Sequence, residues 1–353
     1  MIHSLSGGGA ERLMAQLANR WHDQGHHVTL ITWSLPESDI YPVYSGVRRV
    51  GLEMLQESRS LFHGIWANLK RVRALRKAIT RAEPEWVLSF ADQMNIVGAE
   101  AMRGINVPMW IAEHSHPKYQ RLSPMWEHWR SRSYPRVTGC VALTSGIAGY
   151  MQRWVAADRL RVIPPAISPP SAGQIHSART KTLLTVGRLS KEKNQLLLLD
   201  AWARCSQDLP DWTLRIVGDG PERDNLKHRA KSLQRVEFAG WVDDPWQEYQ
   251  TAGLFVLTSQ YEGFPVAMLE AMSQGVPCIT TDCTDAVREL GVDCGVSVIG
   301  ESPTASQLAE AMVELAKSET RREAMAVAAR ETALAYDWSQ IGPLWDSVLA
   351  EST

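Results

Sequence analysis

Short apolar runs, each followed by a longer stretch with three- and four-residue apolar spacing, set the rhythm of this chain. VTLIT (28–32), WVLSF (86–90), MWIAE (109–113) and CVALT (140–144) read as buried strands leading into amphipathic helices. A second series repeats the alternation with TLLTV (182–186), TLRIV (213–217), LFVLTS (254–259) and PCITT (277–281). Strand followed by helix, many times over, predicts parallel α/β sheets. Between the series lies VIPPAISPPSAG (162–173), whose four prolines and Gly173 can continue neither a helix nor a central strand. The pattern predicts one α/β domain over 1–165, a second over 174–335 and a helical tail over 336–353.

Composition agrees with that division. A chain of 353 residues suits two ordinary domains, and 44% hydrophobic with 22% charged residues excludes disordered and low-complexity classes. Cys140, Cys205, Cys278, Cys283 and Cys294 form no C-x-x-C pair, so neither a zinc site nor a disulfide framework is expected, and reduced thiols in a cytoplasm fit. No apolar run approaches the ~18 residues of a membrane span, and MIHSLSGGGAER (1–12) lacks a secretory layout. The net charge of −2 argues against charged partners until it is divided. Residues 1–170 carry 20 Lys/Arg and 13 Asp/Glu, and 171–353 carry 17 and 26, so the halves are +7 and −9.

Three loops hold candidate chemistry. In Ser6-Gly7-Gly8-Gly9-Ala10-Glu11-Arg12, glycines at a strand-to-helix turn admit a ligand close to the backbone, beside the free N–H groups of a helix start. A ligand-free tight turn has the same composition. Arg12 stands where a dinucleotide fingerprint needs glycine, and no Gly-Lys-Ser/Thr follows, so both phosphate-loop motifs are excluded. Only five residues precede the loop, so the first strand reads as curtailed or its start as misassigned. VGRLSKEKN (186–194) sets Arg188 and Lys193 at the carboxyl end of a parallel strand, a pair suited to a diphosphate or to a solvated basic turn. In QYEGFPVAMLE (260–270), Gly263 permits a sharp entry and Pro265 suits a first helical position, which predicts open N–H groups at Val266 and Ala267. Glu262 and Glu270 flank that entry as acceptors for hydroxyl groups, or as members of a solvated helix face.

The first domain has two basic segments. Residues 59–81 alternate Leu61, Ile65, Leu69, Val72, Leu75 and Ile79 with Lys70, Arg71, Arg73, Arg76, Lys77 and Arg81. Such a helix suits an anionic membrane or a lipid diphosphate, and equally a sheet that its apolar face covers. KYQRLSPMWEHWRSRSYPR (118–136) gathers Trp126, Trp129 and Tyr134 with four arginines, suited to a glycan or an interfacial acceptor, or to a lid or ordinary packing. His114, directly after MWIAE, is favoured as a site residue over His116, although a single histidine is often structural.

SGGGAER (6–12), EHS (113–115), VGRLSKEKN, VGDGPER (217–223) and EGFPVAMLEAMSQGVP (262–277) together resemble the motifs of family 4 retaining glycosyltransferases, over essentially the whole chain. The E-x(7)-E segment is the most specific, and the chain is most similar to enzymes that extend polyprenyl-diphosphate-linked or lipopolysaccharide glycans. The resemblance implies an α/β GT-B fold, two Rossmann-like domains with parallel sheets facing across a cleft. The first would take the acceptor and the second the nucleotide sugar, with the tail crossing back to the first. It implies transfer of a hexose or N-acetylhexosamine from a nucleotide-diphosphate sugar, UDP-linked, to a lipid-linked or surface glycan.

By the same resemblance Glu270 would bind ribose hydroxyls, Glu262 hydroxyls of the transferred sugar, and Arg188 and Lys193 the diphosphate. Phe264, Pro265 and Val266, after Gly263, would line the sugar phosphate; Gly218, Trp241 and Val242 would frame the base. Gly8 and Gly9 would close on the reacting sugar, with His114 beside it. No general base is assigned, since in the family's same-face mechanism the departing phosphate oxygen takes the acceptor proton. No D-x-D occurs, so no metal or other cofactor is expected, and Arg188, Lys193 and a helix terminus would meet the leaving charge. The expected place is the cytoplasm, at the inner face of the plasma membrane, with no nucleic-acid partner. A GT-B sugar-nucleotide epimerase and a non-catalytic nucleotide-sugar-binding partner are the alternatives.

Overall fold

The computed structural model describes residues 1–55, 61–169 and 179–351. Residues 59–60 of the basic segment, 170–173 of the proline-rich linker, the start of the second predicted domain and the last two residues lie outside them, as do the side chains of 61–65. The chain forms two compact units, one of Met1–Pro165 with Ile341–Thr353 and one of Ala166–Gln340.

In the first unit β1 (Thr29–Thr32) pairs in parallel with β2 (Arg48–Gly51), and β3 (Val87–Phe90), β4 (Met109–Glu113), β5 (Gly139–Ala142) and β6 (Leu160–Val162) form a four-stranded parallel sheet. Residues 1–3 lie between the two. Ile2 bridges Thr32 and donates to the Ile31 carbonyl at 3.2 Å, while the Phe90 amide donates to the Met1 carbonyl at 2.9 Å. One layer results, ordered β2, β1, residues 1–3, β3, β4, β5, β6. Its helices are α1 (Gly9–Asp23), α2 (Leu61–Ala82), α3 (Asp92–Ala101), α4 (Pro124–Ser133) and α5 (Ser145–Met151). The chain winds outward from residues 1–3 through α1 to β1, then returns through α2 to β3. The winding therefore reverses between residues 1–3 and β3. β3, β4 and β5 are buried throughout, as strands covered on both faces must be.

The second unit is a six-stranded parallel sheet of β7 (Thr182–Val186), β8 (Thr213–Val217), β9 (Val236–Gly240), β10 (Leu254–Leu257), β11 (Cys278–Thr280) and β12 (Val296–Val298), ordered β12-β11-β10-β7-β8-β9. Around it are α6 (Gln195–Cys205), α7 (Arg223–Ala230), α8 (Trp246–Thr251), α9 (Val266–Ser273), α10 (Asp285–Glu289), α11 (Ala305–Lys317) and α12 (Glu319–Leu334). Leu198 and Trp202 of α6 and Leu308 and Met312 of α11 pack with Leu183, Leu214, Ile216 and Val256 of the strands in one buried core. Here the winding reverses between β7 and β10.

The last helix, α13 (Trp338–Ala350), returns to the first unit. Trp345 is fully buried, with its ring 5.5 Å from Phe90. Asp346 accepts from Arg20 Nη2 at 2.6 Å, and from Trp21 Nε1 and Gln24 Nε2 at 3.1 Å. Burial opposes the Asp346 charge, but these donors hold its carboxyl below the usual range. No helix among the described residues is long and apolar enough to cross a membrane.

Candidate active site

Open parallel sheets take ligands beyond their strand carboxyl ends, where the winding reverses. In the second unit the turns after β7 and β10 meet there. The Thr258 hydroxyl donates to the Lys193 carbonyl at 3.0 Å and the Gln260 amide to the Glu192 carbonyl at 2.7 Å, which fastens the two turns together. Lys193 Nζ then lies 2.5 Å from Glu262 Oε1, an oxygen that also accepts from the Ser259 hydroxyl at 2.6 Å. Burial lowers the Lys193 affinity for its proton, but the Glu262 carboxylate outweighs it and holds the ammonium above its ordinary value. Arg188 is exposed, with no ion-pair partner among the described residues; its carbonyl accepts from Gln195 Nε2 at 2.9 Å.

Glu270 is buried on α9 and accepts from the Tyr249 hydroxyl at 2.8 Å. Ser259 and Tyr249 escape motif reading, since nothing in their spacing distinguishes them; only the fold brings them to the glutamates. The helix entry differs from expectation. Pro265 is the cap residue instead of the first helical one, and its φ of −80° and ψ of 74° make an inverse γ-turn in which the Val266 amide donates to the Phe264 carbonyl at 2.9 Å. Val266 therefore offers no open N–H. The amides of Met268 and Leu269 return to the Pro265 carbonyl, which leaves Ala267 as the donor of this turn without a partner among the described residues. Phe264 is buried against Tyr336, ring centres 5.5 Å apart, and the Gly263 carbonyl accepts from the Thr284 hydroxyl at 3.2 Å.

Gly218 meets a steric demand. With φ of +131°, a Cβ there would sit 2.0 Å from the Gly187 carbonyl oxygen, because the turns after β7 and β8 pack backbone to backbone. The Gly218 amide also donates to the Gly240 carbonyl at 2.7 Å, which brings in the turn carrying Trp241 and Val242. Trp241 is exposed and bonds Asp243 at 3.1 Å; Val242 is half-buried.

The first unit has its own cleft, of about 670 Å³, lined among others by His3, Trp33, Asn68, Arg71, Asp92, His114 and Trp126. His114 packs 4.3 Å from the Phe90 ring, and its Nε2 is buried without a hydrogen-bond partner among the described residues. Burial pulls the imidazole down to about 3, so it stays neutral. His116 does not line the cleft: its Nδ1 accepts from the Lys118 amide at 3.2 Å and its ring packs against Tyr119 and Tyr150. Gly8, at φ +138°, donates to the Tyr41 hydroxyl at 3.1 Å, and Gly9 opens α1.

The basic residues of α2 divide. Arg71 stacks 5.0 Å over Trp33 and bonds Asn68 at 2.9 Å, and Arg76 donates to the carbonyls of Ala101 and Arg103. Lys70, Arg73 and Lys77 are exposed, and Trp66, 69% exposed, lines a shallow depression with Lys70 and Arg73. Leu75 and Ile79 are buried, so the helix both covers its sheet and presents cations. In α4, Trp126 is buried, 5.6 Å from the Trp129 ring.

Family profiles match nearly end to end: one described as Glycosyltransferase Family 4 over residues 7–169 and one described as Glycosyl transferases group 1 over 172–332. A GalNAc-alpha-(1->4)-GalNAc-alpha-(1->3)-diNAcBac-PP-undecaprenol alpha-1,4-N-acetyl-D-galactosaminyltransferase of Campylobacter jejuni is 28% identical, over 99% of this chain and 97% of its own length. A lipopolysaccharide 1,6-galactosyltransferase of Escherichia coli is 28% identical over 64% of each chain. Among solved structures, Anabaena HepE in complex with UDP and glucose superposes with a TM-score of 0.77 at 20% identity, over 99% of this chain and 98% of its own. These matches give no support to a sugar-nucleotide epimerase. With parallel-sheet domains of the GT-B fold in both halves and a glycosyltransferase profile on each, the chain belongs to the glycosyltransferases, pairing a family 4 amino-terminal domain with a group 1 carboxy-terminal domain.

Proposed function

We propose that this enzyme transfers a hexose or N-acetylhexosamine, with retention and without a metal, from a UDP-sugar to a polyprenyl-diphosphate-linked or lipopolysaccharide glycan. The observation that carries the reading is the meeting of Lys193 and Glu262 at the winding reversal of the second unit, with Glu270 on the helix that follows. In this reading Glu270 accepts from the ribose hydroxyls and Glu262 from those of the transferred sugar, as carboxylates do. Lys193, Arg188 and the Ala267 amide meet the charge that grows on the departing diphosphate, a fixed arrangement that lowers the barrier without reorganising. Gly218, Trp241 and Val242 frame the base; Gly263, Phe264 and Pro265 shape the entry; Gly8, Gly9 and His114 close on the sugar. The first domain, 1–165 with the returning tail, takes the acceptor, and 174–335 takes the donor.

UDP bound in the Anabaena structure and the acceptors named for the Campylobacter and Escherichia relatives support the choice of substrates. The absence of D-x-D from the sequence supports metal independence. A panel of UDP- and GDP-sugars with both acceptor classes, product anomers read by NMR, tests the whole reading; an inverted anomer overturns it. Activity lost to EDTA and restored by Mg²⁺ or Mn²⁺ overturns metal independence, and a Glu270→Ala variant with unchanged UDP affinity overturns the ribose role. Exposed Lys70, Arg73, Lys77 and Trp66 fit docking at the inner face of the plasma membrane.

A further inference from the structure

The winding reversal of the first unit falls between residues 1–3 and β3, and β3 passes through Ala91 directly into α3, which opens with Asp92 and Gln93. All three residues line the 670 Å³ cleft, with His114. Ala91 has φ 71° and ψ 146°, a backbone region that glycine alone adopts freely and that costs other residues about 1–3 kcal/mol. The strain is held from both sides. The Ala91 amide donates to the Ala112 carbonyl at 3.3 Å, and the Asn95 amide donates to the Ala91 carbonyl at 2.8 Å. Asn95 Nδ2 bonds the Ala112 carbonyl as well, at 2.9 Å. Asp92, next in the chain, lines the cleft with its Oδ1 accepting from the Gln93 amide at 2.6 Å.

Beneath Asp92 lies Arg130, whose side chain is 1% exposed. Its guanidinium rests 5.3 Å from the Trp154 ring and 5.7 Å from that of Tyr134, 3.3 Å from Glu127 and 3.9 Å from Asp92 Oδ2. The fully buried Glu113 accepts from the Tyr134 hydroxyl on the other side. A buried cation without compensation is costly, so Arg130 constrains where the Asp92 carboxylate rests. Trp33 and Trp126 also line the cleft but are buried, Trp33 against the Arg71 guanidinium, so the polar groups define the ligand. An ionised carboxylate only accepts hydrogen bonds, so Asp92 suits hydroxyls.

We propose that Asp92 is a specificity-determining residue that binds hydroxyls of the acceptor sugar, and that Arg130 is its positioning residue. The inference rests on the glycosyltransferase reading and adds which group of the first unit meets the hydroxyls of the acceptor sugar.

The test uses the full chain, an undecaprenyl-diphosphate-linked N-acetylgalactosamine trisaccharide and deacylated lipopolysaccharide core as acceptors, and calorimetry of UDP. Asp92→Asn is nearly isosteric and can still accept from the Gln93 amide. Loss of a charged hydrogen bond to substrate predicts a fall in kcat/KM for the acceptor of about 10- to 100-fold, carried mainly by KM, with UDP affinity within about twofold of wild type. Asp92→Glu recovers part of the loss. Arg130→Lys, which keeps the charge but not the fork, weakens acceptor use when Asp92 is present and adds nothing in the Asp92→Asn background. Acceptor kinetics of Asp92→Asn within about threefold of wild type overturn the inference and leave the glycosyltransferase reading intact. A UDP affinity that falls as far as acceptor use overturns it too, by moving Asp92 to the donor. A wild-type chain that neither binds UDP nor transfers to either acceptor overturns both readings together.

Discussion

The two units carry the same kind of sheet and solve its ligand-facing edge in opposite ways. In the second, charged groups stand at the edge itself, Lys193 paired with Glu262 and Glu270 accepting from the Tyr249 hydroxyl. In the first, a buried cation lies behind the edge, with Arg130 between Glu127, Asp92 and the Glu113–Tyr134 pair, while the cleft is lined by a neutral His114 together with Asp92 and Arg71. On the proposed function, the difference matches what each edge would meet. A charged leaving group calls for fixed charge at contact, whereas hydroxyls call for hydrogen-bond acceptors held in place.

Removing the buried charge should have the largest effect. Arg130→Met leaves buried acids without their cation and is expected to cost about 3–5 kcal/mol of stability, measured by urea unfolding. A loss near zero would show that the first unit needs no charge under its edge. In the second unit Lys193→Met should lower transfer on the order of 10²–10³-fold with a smaller stability change, read in steady-state kinetics and melting curves. Gly218→Ala forces a methyl group to within 2.0 Å of the Gly187 carbonyl and should cost about 2 kcal/mol, since backbone must shift. Differential scanning calorimetry decides it, and an unchanged Tm would mean that the turns separate freely.

The pH response of the first unit is smaller and has two signs. His114, pulled by burial to about 3 from 6.5, contributes stability that is present above pH 6.5 and lost as pH falls toward 3. Glu113, pushed by burial to about 7 from 4.5 despite Arg130, contributes stability that is full below pH 4.5 and lost as pH rises through 7. Between pH 4.5 and 6.5 the slopes oppose. Glu113→Gln should leave stability falling on acidification, and His114→Gln should leave it rising, by about 1–2 kcal/mol across that window in urea midpoints. Parallel curves for wild type and both variants would dismiss the pair. Smallest is the surface effect: Lys70→Gln with Arg73→Gln should weaken sedimentation with phosphatidylserine vesicles by about 1 kcal/mol per residue, and an unchanged partition would return α2 to plain packing.

Eight strands were legible in the sequence as short, mostly apolar runs, since strands covered on both faces must be largely apolar, although β8 keeps the half-buried Arg215 and β4 ends in Glu113. β2, β6, β9 and β12 were not. They are edge strands or next to one, partly exposed, and their residues alternate too weakly to stand out. At the site, glycines, prolines and paired glutamates are visible because their chemistry is rare at that spacing. Ser259, Tyr249, Asp92 and Arg130 are ordinary polar residues until tertiary structure brings them to a turn. The Val266 amide shows the converse: helix rules leave it open, yet Pro265 is the cap residue and not the first helical one, and its inverse γ-turn closes the donor.

The return of α13 bears on how the molecule is made. All of Ala166–Gln340 precedes the segment that the first unit still needs, including Trp345, buried against Phe90, and Asp346, clasped by Arg20. On the ribosome the second unit can therefore complete its core while the first waits, at about 5–20 residues per second, for the final helix to emerge. The unit translated first is finished last: all its strands precede its neighbour, but the surface of Phe90 that Trp345 covers stays open until that neighbour has been synthesised.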